Sequence, residues 1–295
     1  MSTLLTGTRG LVGQYMQKAQ KDTVSLPSHI DLRDCAGIKT FIMEIQPASV
    51  IHLAAQSFVP QSFENLRETF DINLIGTLNL LEVLQAVNFN GRMISVSSGD
   101  IYGKVSEANL PEDERHTRLP RNPYAVSKLA AEALCYQRSQ TSDFEFIRVR
   151  PFNHIGPGQS PRFAISDFSR QDIKIKTGQS EPVLNVGNLD ITREFTDVRD
   201  VVRGYSLILD KGINGGVYNL CSGVERSIRS LLVEMINLVD LDVQIFQDSS
   251  RLRPAEHKRA CGNAALLNRD TGWMPELCMT QSLNDLLTYW ENTIQ

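Results

Sequence analysis

No apolar run in this 295-residue chain is long enough to cross a bilayer, and the N-terminus lacks the basic, apolar and small-residue succession of an export leader. A cytoplasmic protein is the expectation. An excess of positive charge is missing as well: 30 Lys and Arg stand against 34 Asp and Glu, a formal net charge of -4. Such a chain has no general attraction for nucleic acid or an acidic membrane, so an anionic ligand needs local cations. Paired cysteines are also absent. Cys35, Cys135, Cys221, Cys261 and Cys278 are odd in number, scattered and never arranged as Cys-x-x-Cys, which argues for reduced thiols and against a disulfide framework or a zinc site. What is present is an ordinary globular composition, long enough for one large α/β domain or a domain with a smaller appendage.

Leu4-Leu5-Thr6 reads as a short buried strand that runs directly into Gly7-Thr8-Arg9-Gly10-Leu11-Val12-Gly13 and then a helix to about Lys21. A Gly-x-x-Gly-x-x-Gly turn between strand and helix lets the backbone approach a pyrophosphate, which the free N–H groups of the helix N-terminus stabilise. A plain structural turn is the other reading. About 20 residues further on, a loop selective for NAD places an acid on the ribose 2′-hydroxyl. Ser25-Leu26-Pro27-Ser28-His29 holds no acid. Arg9, inside the turn, either pairs with a 2′-phosphate or stands solvated. NADP(H) is therefore favoured, with NAD(H) possible.

A helix over about 36–45 follows, then an apolar strand, Ser49-Val50-Ile51-His52-Leu53-Ala54-Ala55, whose small final residues leave room for a cofactor at the C-terminal edge of a parallel sheet. His52 reads as a packed strand histidine in preference to a ligand. A long helix over about 63–87 and a strand over 92–98 come next. Strands and helices alternate throughout, which predicts a doubly wound parallel sheet. The fourth strand ends in Val96-Ser97-Ser98-Gly99-Asp100-Ile101-Tyr102-Gly103, where a hydroxyl in the ligand crevice can hydrogen-bond a substrate oxygen; a Ser- and Gly-rich turn is the bland alternative. Further on, Asn122-Pro123-Tyr124-Ala125-Val126-Ser127-Lys128 opens a helix. Tyr124 and Lys128 are four apart and share a face, so the ammonium is expected to lower the phenol pKa toward working pH.

Taken in order, these pieces resemble the extended short-chain dehydrogenase/reductase family. The resemblance rests on Gly7-x-x-Gly10-x-x-Gly13, Asp31-Leu32, His52-Leu53-Ala54-Ala55, Asp71-Ile72-Asn73, Ser97-Ser98, Tyr124-x-x-x-Lys128 and Arg150-Pro151-Phe152-Asn153. It implies a Rossmann fold with a smaller C-terminal α/β substrate-binding domain: residues 1–151 with about 187–221 for NADP, and 152–186 with 222–295 for a nucleotide sugar. Ser98, Tyr124 and Lys128 become the catalytic set, with no metal required. Gly7, Arg9, Gly10, Leu11, Val12, Gly13, Asp31, Leu32, Leu53, Ala54, Ala55, Ser97 and Pro151 line the cofactor alongside Tyr124 and Lys128. Family members commonly dimerise through the helices at 63–87 and 124–140, so a homodimer is implied. The small face Ala125, Ala130, Ala131 and Ala133 serves that contact or an internal one equally well.

The second half is similar to nucleotide-sugar enzymes of the same family. Pro151–Gln159, the Gly187-Asn188…Arg193-Glu194-Phe195 segment and Arg251-Leu252-Arg253-Pro254-Ala255-Glu256 carry this likeness. It implies a GDP-sugar substrate, with Arg193 and Arg253 on its diphosphate and Ser98, Asp100, Asn153 and Glu256 around it. Two arginines suit a diphosphate because guanidinium groups bind phosphate oxygens bidentately. The family's 4,6-dehydratases carry a glutamate base where Ser98-Gly99-Asp100 has a shorter carboxylate, so water elimination is poorly supported. Reduction of the C4 ketone of a GDP-linked 4-keto-6-deoxyhexose by NADPH is the expected activity. A reductase of opposite C4 outcome, a 4-epimerase and an NADP-sensing binding protein are the alternatives; sensors of this fold usually lose the Tyr or the Lys, and both are retained here.

Overall fold

The computed structural model describes residues 2–252 and 258–294. Its strands are β1 (Thr3–Thr6), β2 (Thr23–Ser25), β3 (Ser49–His52), β4 (Arg92–Val96), β5 (Glu145–Pro151), β6 (Asn153–Ile155), β7 (Val183–Val186), β8 (Thr192–Asp197), β9 (Val217–Leu220), β10 (Glu225–Ser227) and β11 (Gln244–Gln247). Its helices are α1 (Leu11–Ala19), α2 (Cys35–Ile45), α3 (Val59–Glu64), α4 (Leu66–Phe70), α5 (Gly76–Ala86), α6 (Pro123–Ser139), α7 (Ala164–Lys176), α8 (Val198–Lys211), α9 (Ile228–Leu238), α10 (Ala265–Thr271) and α11 (Met279–Ile294).

Alternation along the central strands builds two cores on one sheet. Leu4, Val50, Met93 and Phe146 point to one face and pack with Ile38 and Ile42 of α2 and Leu80 and Leu84 of α5. Their immediate neighbours Leu5, Ile51, Ile94 and Ile147 point to the other, against Met16 of α1 and Val201, Tyr205 and Ile208 of α8. Strands buried on both faces are apolar at adjacent positions, which is why their centres read as continuous runs. The sheet is parallel throughout, in the order β2-β1-β3-β4-β5-β9, a doubly wound Rossmann arrangement. From β1 the chain winds outward to β2 and then returns to the other side at β3. That reversal opens the crevice where such sheets bind ligands.

A separate core gathers Phe168, Ile173, Leu184, Val186, Leu231, Met235, Leu286 and Trp290 from α7, β7, α9 and α11. Here β6, β8 and β10 form a three-stranded sheet and β7 pairs with β11. Within the 187–221 stretch, β8 joins the three-stranded sheet, whereas β9 closes the six-stranded one.

Two elements differ from the sequence reading. The expected helix over 63–87 is broken. Asn65 leaves helical geometry (φ -126°, ψ 65°), and residues Asp71–Ile75 form a π-helical turn between α4 and α5. Inside that turn Asn73 accepts from Gln56 N at 2.8 Å and donates to Gln56 O at 3.0 Å and Ser127 Oγ at 2.9 Å, so tertiary hydrogen bonds accompany the widened turn. The strand expected over 49–55 ends at His52, because the backbone beyond it bends toward β1, where Ala54 N donates to Thr6 Oγ1 at 3.1 Å.

Candidate active site

The turn after β1 shows why its glycines are glycines. Gly7 has φ +74°, and a Cβ there would lie 2.6 Å from Ala54 N; one on Gly13 would lie 2.5 Å from Gly7 O. These close approaches leave an open backbone cradle at the N-terminus of α1. The helix has no side-chain cap and no acid in its first turn, so its N–H groups and dipole face the cavity unopposed. Arg9 is exposed at the same rim, and no ion pair among the described residues uses it. Asp31 lies further along the wall, held by a bidentate Arg33 contact (2.8 and 2.6 Å) that lowers its pKa to about 2. Leu32, Leu53, Ala54, Ala55, Leu11 and Val12 supply apolar wall between these groups. The cradle, the free helix end and the unpaired guanidinium fit a dinucleotide carrying an extra phosphate.

The cavity is continuous from this cradle to Arg193 and measures about 1470 Å³, more than the 300–1,000 Å³ typical of a single small-ligand pocket. Ser97, Ser98, Asp100, Tyr124, Lys128, Pro151 and Asn153 lie on its wall between the two ends. Helix α6 delivers two of them. Asn122 caps it by accepting from Ala125 N at 2.7 Å, and Pro123 fills the first position, where no N–H is needed. Ser98 caps the single turn after β4, accepting from Asp100 N at 3.2 Å. Gly99 has its own reason: a Cβ there would press within 2.9 Å of the Phe152 ring. Asp100 in turn accepts a long 3.5 Å contact from Asn122 Nδ2.

The electrostatics differ from the sequence expectation in one respect. Tyr124 is held above its ordinary pKa, by burial first and by the Asp100 charge second; its hydrogen bond with Ser98 acts in the opposite direction. The expected lowering by Lys128 is not found: the groups acting on the phenol are Asp100 and Ser98, and removing the phenolate from water dominates. Burial also lowers Lys128 to about 8, against the opposing pull of Cys135 and Glu132. His52 is the packed strand residue the sequence suggested. Its ring meets Thr6 Oγ1 at 2.8 Å and Thr77 Oγ1 at 3.0 Å, and burial, then Lys128, lowers it to about 3.

Beneath α6 lies a network that sequence reasoning left without a role. Arg150 forms a buried bidentate pair with Glu132 (3.0 and 2.5 Å) and donates to Tyr102 Oη at 2.8 Å and Glu114 O at 2.9 Å. Tyr102 passes the chain of bonds to Asn219 Oδ1 at 2.7 Å, and Glu114 accepts from Asn219 N at 2.7 Å. The network clamps α6 to β5 and β9. At the far end, Arg193 donates to Thr192 O at 2.7 Å, and Asn153 donates to Glu194 O at 3.3 Å. Glu194 is buried and accepts from Ser222 N (3.0 Å), Gly223 N (3.3 Å) and Gly262 N (2.9 Å), tying three segments around the cavity. Arg253 and Glu256 lie outside the described residues. Arg251, two positions earlier, is on the wall with its Nη1 2.7 Å from Asp167 Oδ2. The sequence reading placed both members in family-like segments but gave neither a role and did not pair them.

The GDP-mannose 4,6 dehydratase family profile matches residues 7–286. The chain is 43% identical to the GDP-6-deoxy-D-mannose reductase of Pseudomonas aeruginosa, over 99% of this chain and 97% of that one. It is 27% identical to a GDP-mannose 4,6-dehydratase of Vibrio cholerae, over 87% of this chain and 76% of the relative. Among solved structures, RMD from Pseudomonas aeruginosa complexed with NADPH superposes with a TM-score of 0.93 at 42% identity, covering 99% and 100% of the two chains. A UDP-glucose 4-epimerase of Thermus thermophilus in complex with NAD gives 0.88 at 25% identity, covering 98% and 99%. With its glycine cradle, Tyr124-x-x-x-Lys128 helix and doubly wound sheet, the chain belongs to the GDP-mannose 4,6 dehydratase family of extended short-chain dehydrogenases/reductases.

Proposed function

We propose that this enzyme reduces the C4 ketone of GDP-4-keto-6-deoxy-D-mannose with NADPH, giving GDP-D-rhamnose. The observation that carries this reading is Tyr124 on one cavity wall with Ser98 and Lys128, in a chain 43% identical to a GDP-6-deoxy-D-mannose reductase. NADPH, when bound along the glycine cradle with Arg9 toward its 2′-phosphate, supplies hydride.

The chain's own residues do the rest. Ser98 hydrogen-bonds O4 and orients the carbonyl. A tyrosine held above its ordinary pKa is fully protonated at neutral pH, which suits a group that must give a proton. As charge builds on O4 the Tyr124 proton moves to it, and the Lys128 ammonium, charged below about pH 8, stabilises the phenolate left behind. Arg193 and Arg251 at the far end suit the diphosphate, leaving the hexose at Tyr124. Gly99 and Asp100 stand where a dehydratase needs its glutamate base. Asp100 is one methylene shorter than that glutamate, which favours reduction over elimination, and the ring of Phe152 fills the space beside Gly99.

The same reading assigns residues 1–151 with about 187–221 to cofactor binding and 152–186 with 222–295 to the sugar nucleotide. It also makes the protein a cytoplasmic homodimer. Exposed Phe63, Leu66 and Val126 on α3, α4 and α6 support that contact, and light scattering of the purified chain tests it. The activity is tested by following NADPH absorbance with GDP-4-keto-6-deoxy-D-mannose and, separately, its dTDP-glucose-derived counterpart. Oxidation with the GDP sugar alone, with C4 proton couplings of rhamnose in the product, is the expected result. Talose couplings overturn the stereochemical assignment, and no oxidation with either sugar overturns the reductase.

A further inference from the structure

Glu112 sits in the loop between β4 and α6 with its backbone fixed on both sides. Glu112 N donates to Cys261 O at 2.8 Å, while its carbonyl accepts from Asn263 N at 2.8 Å and Asn219 Nδ2 at 2.9 Å. The residue is only 1% exposed, yet it lines the cavity. No hydrogen bond or ion pair among the described residues engages its carboxyl. Buried polar groups are normally paired, because desolvation without a partner costs free energy. The open side of this one is the cavity.

The groups that act on it are Glu194 and Arg193 from β8 and Asp100 from the turn after β4; Glu112 in turn raises the thiol of Cys261, on the segment that holds its backbone. Burial acts first, and the two carboxylates outweigh the guanidinium; together they push Glu112 up to about 8. It therefore keeps its proton at neutral pH and offers one O–H donor beside one carbonyl acceptor. Asp100 acts on both Glu112 and Tyr124, so the three share one end of the cavity.

We propose that Glu112 is a specificity-determining residue, its carboxyl exchanging hydrogen bonds with a ring hydroxyl of the keto-hexose while Ser98 and Tyr124 hold O4. A sugar hydroxyl is the ligand that matches a neutral acid, being itself both donor and acceptor. A carboxylate or phosphate is disfavoured at this spot, because Asp100 and Glu194 outweigh Arg193 there. The inference rests on the reductase reading and deepens it to one residue.

The test compares wild type with Glu112→Gln and Glu112→Ala in NADPH oxidation with GDP-4-keto-6-deoxy-D-mannose, using NADPH binding as the check on folding. Glu112→Ala is expected to raise KM about tenfold with kcat within about threefold, the loss of one neutral hydrogen bond. Glu112→Gln, which keeps a donor and an acceptor but cannot titrate, is expected to stay within about threefold of wild-type KM at neutral pH. Lys128 titrates in all three proteins, so the decisive quantity is the ratio of wild-type to Glu112→Gln kcat/KM, which falls about tenfold between roughly pH 7 and 9.5. A flat ratio overturns the proposal, as does an Ala variant with unchanged KM. Should the Ala variant lose NADPH binding, the Gln ratio decides alone. Wild-type turnover with variants indistinguishable from it overturns the Glu112 role only, whereas no wild-type turnover overturns the reductase reading and this role with it.

Discussion

Tyr124 acts in this account as a neutral phenol whose proton is available because burial and Asp100 hold it there. Tyr124→Phe is expected to lower kcat about 10²–10⁴-fold, the usual worth of a positioned acid, with NADPH affinity within about threefold in a fluorescence titration. Arg9 carries the cofactor preference. Arg9→Ser is expected to raise KM for NADPH about 10–100-fold while leaving KM for NADH within about threefold, since a bond to a charged group is worth about 1.5–3 kcal/mol. Tyr124, Lys128 and Arg9 stood out in the sequence through local motif spacing, and the fold places all three on the wall of one cavity. The direction of the Tyr124 shift was not, because it depends on burial by residues distant in sequence. Gly99 reads as a missing side chain until Phe152 appears beside it. Glu112 reads as one acid among solvated charges in Pro111-Glu112-Asp113-Glu114-Arg115, and only the fold turns it inward.

Among the elements, α6 is the one whose position decides activity, and Glu132 with Arg150 fixes it to the sheet. Removing one partner strands a buried charge. Glu132→Gln is expected to cost about 3–5 kcal/mol in urea unfolding, whereas replacing both with apolar residues of similar volume costs less, because no charge is left unpaired. Alternating strands and helices exposed the doubly wound sheet in the sequence, since both faces of β1, β3, β4 and β5 are buried and each strand has adjacent apolar residues at its centre. The break at Asn65 and the π-helical turn at Asp71–Ile75 were not legible. Periodicity runs through them, and it is Asn73, bonded to Gln56 and Ser127 from other elements, that occupies the distorted turn.

At the scale of the whole molecule, the buried ionisable groups set a pH dependence with a definite sign. Burial pushes Glu112 and Asp172 up to about 8 and Glu194 to about 7, from ordinary values of 4.5, 3.8 and 4.5. Across that window the folded chain holds protons the unfolded chain releases, so stability falls as pH rises. His52, at about 3 against 6.5, works in the opposite sense below pH 6.5, where stability falls as pH drops. The decline is therefore cleanest from about pH 6.5 to 8, and Asp172→Asn, which removes a carboxyl whose two oxygens have no hydrogen-bond partner, is expected to reduce its slope in urea unfolding. An unchanged slope would remove Asp172 from the explanation. The site was legible at this scale wherever the chain's motifs line one cavity; Arg251 with Asp167 was not, because a salt bridge spanning 84 residues leaves no local signature. The most direct test of the central claim, hydride delivery to C4 with Tyr124 returning the proton, uses NADPH deuterated at the transferable position and GDP-4-keto-6-deoxy-D-mannose. Deuterium is expected at C4 of GDP-rhamnose, with one NADPH consumed per sugar and the rate lost in Tyr124→Phe. Product without deuterium at C4, or turnover without net NADPH consumption, contradicts it.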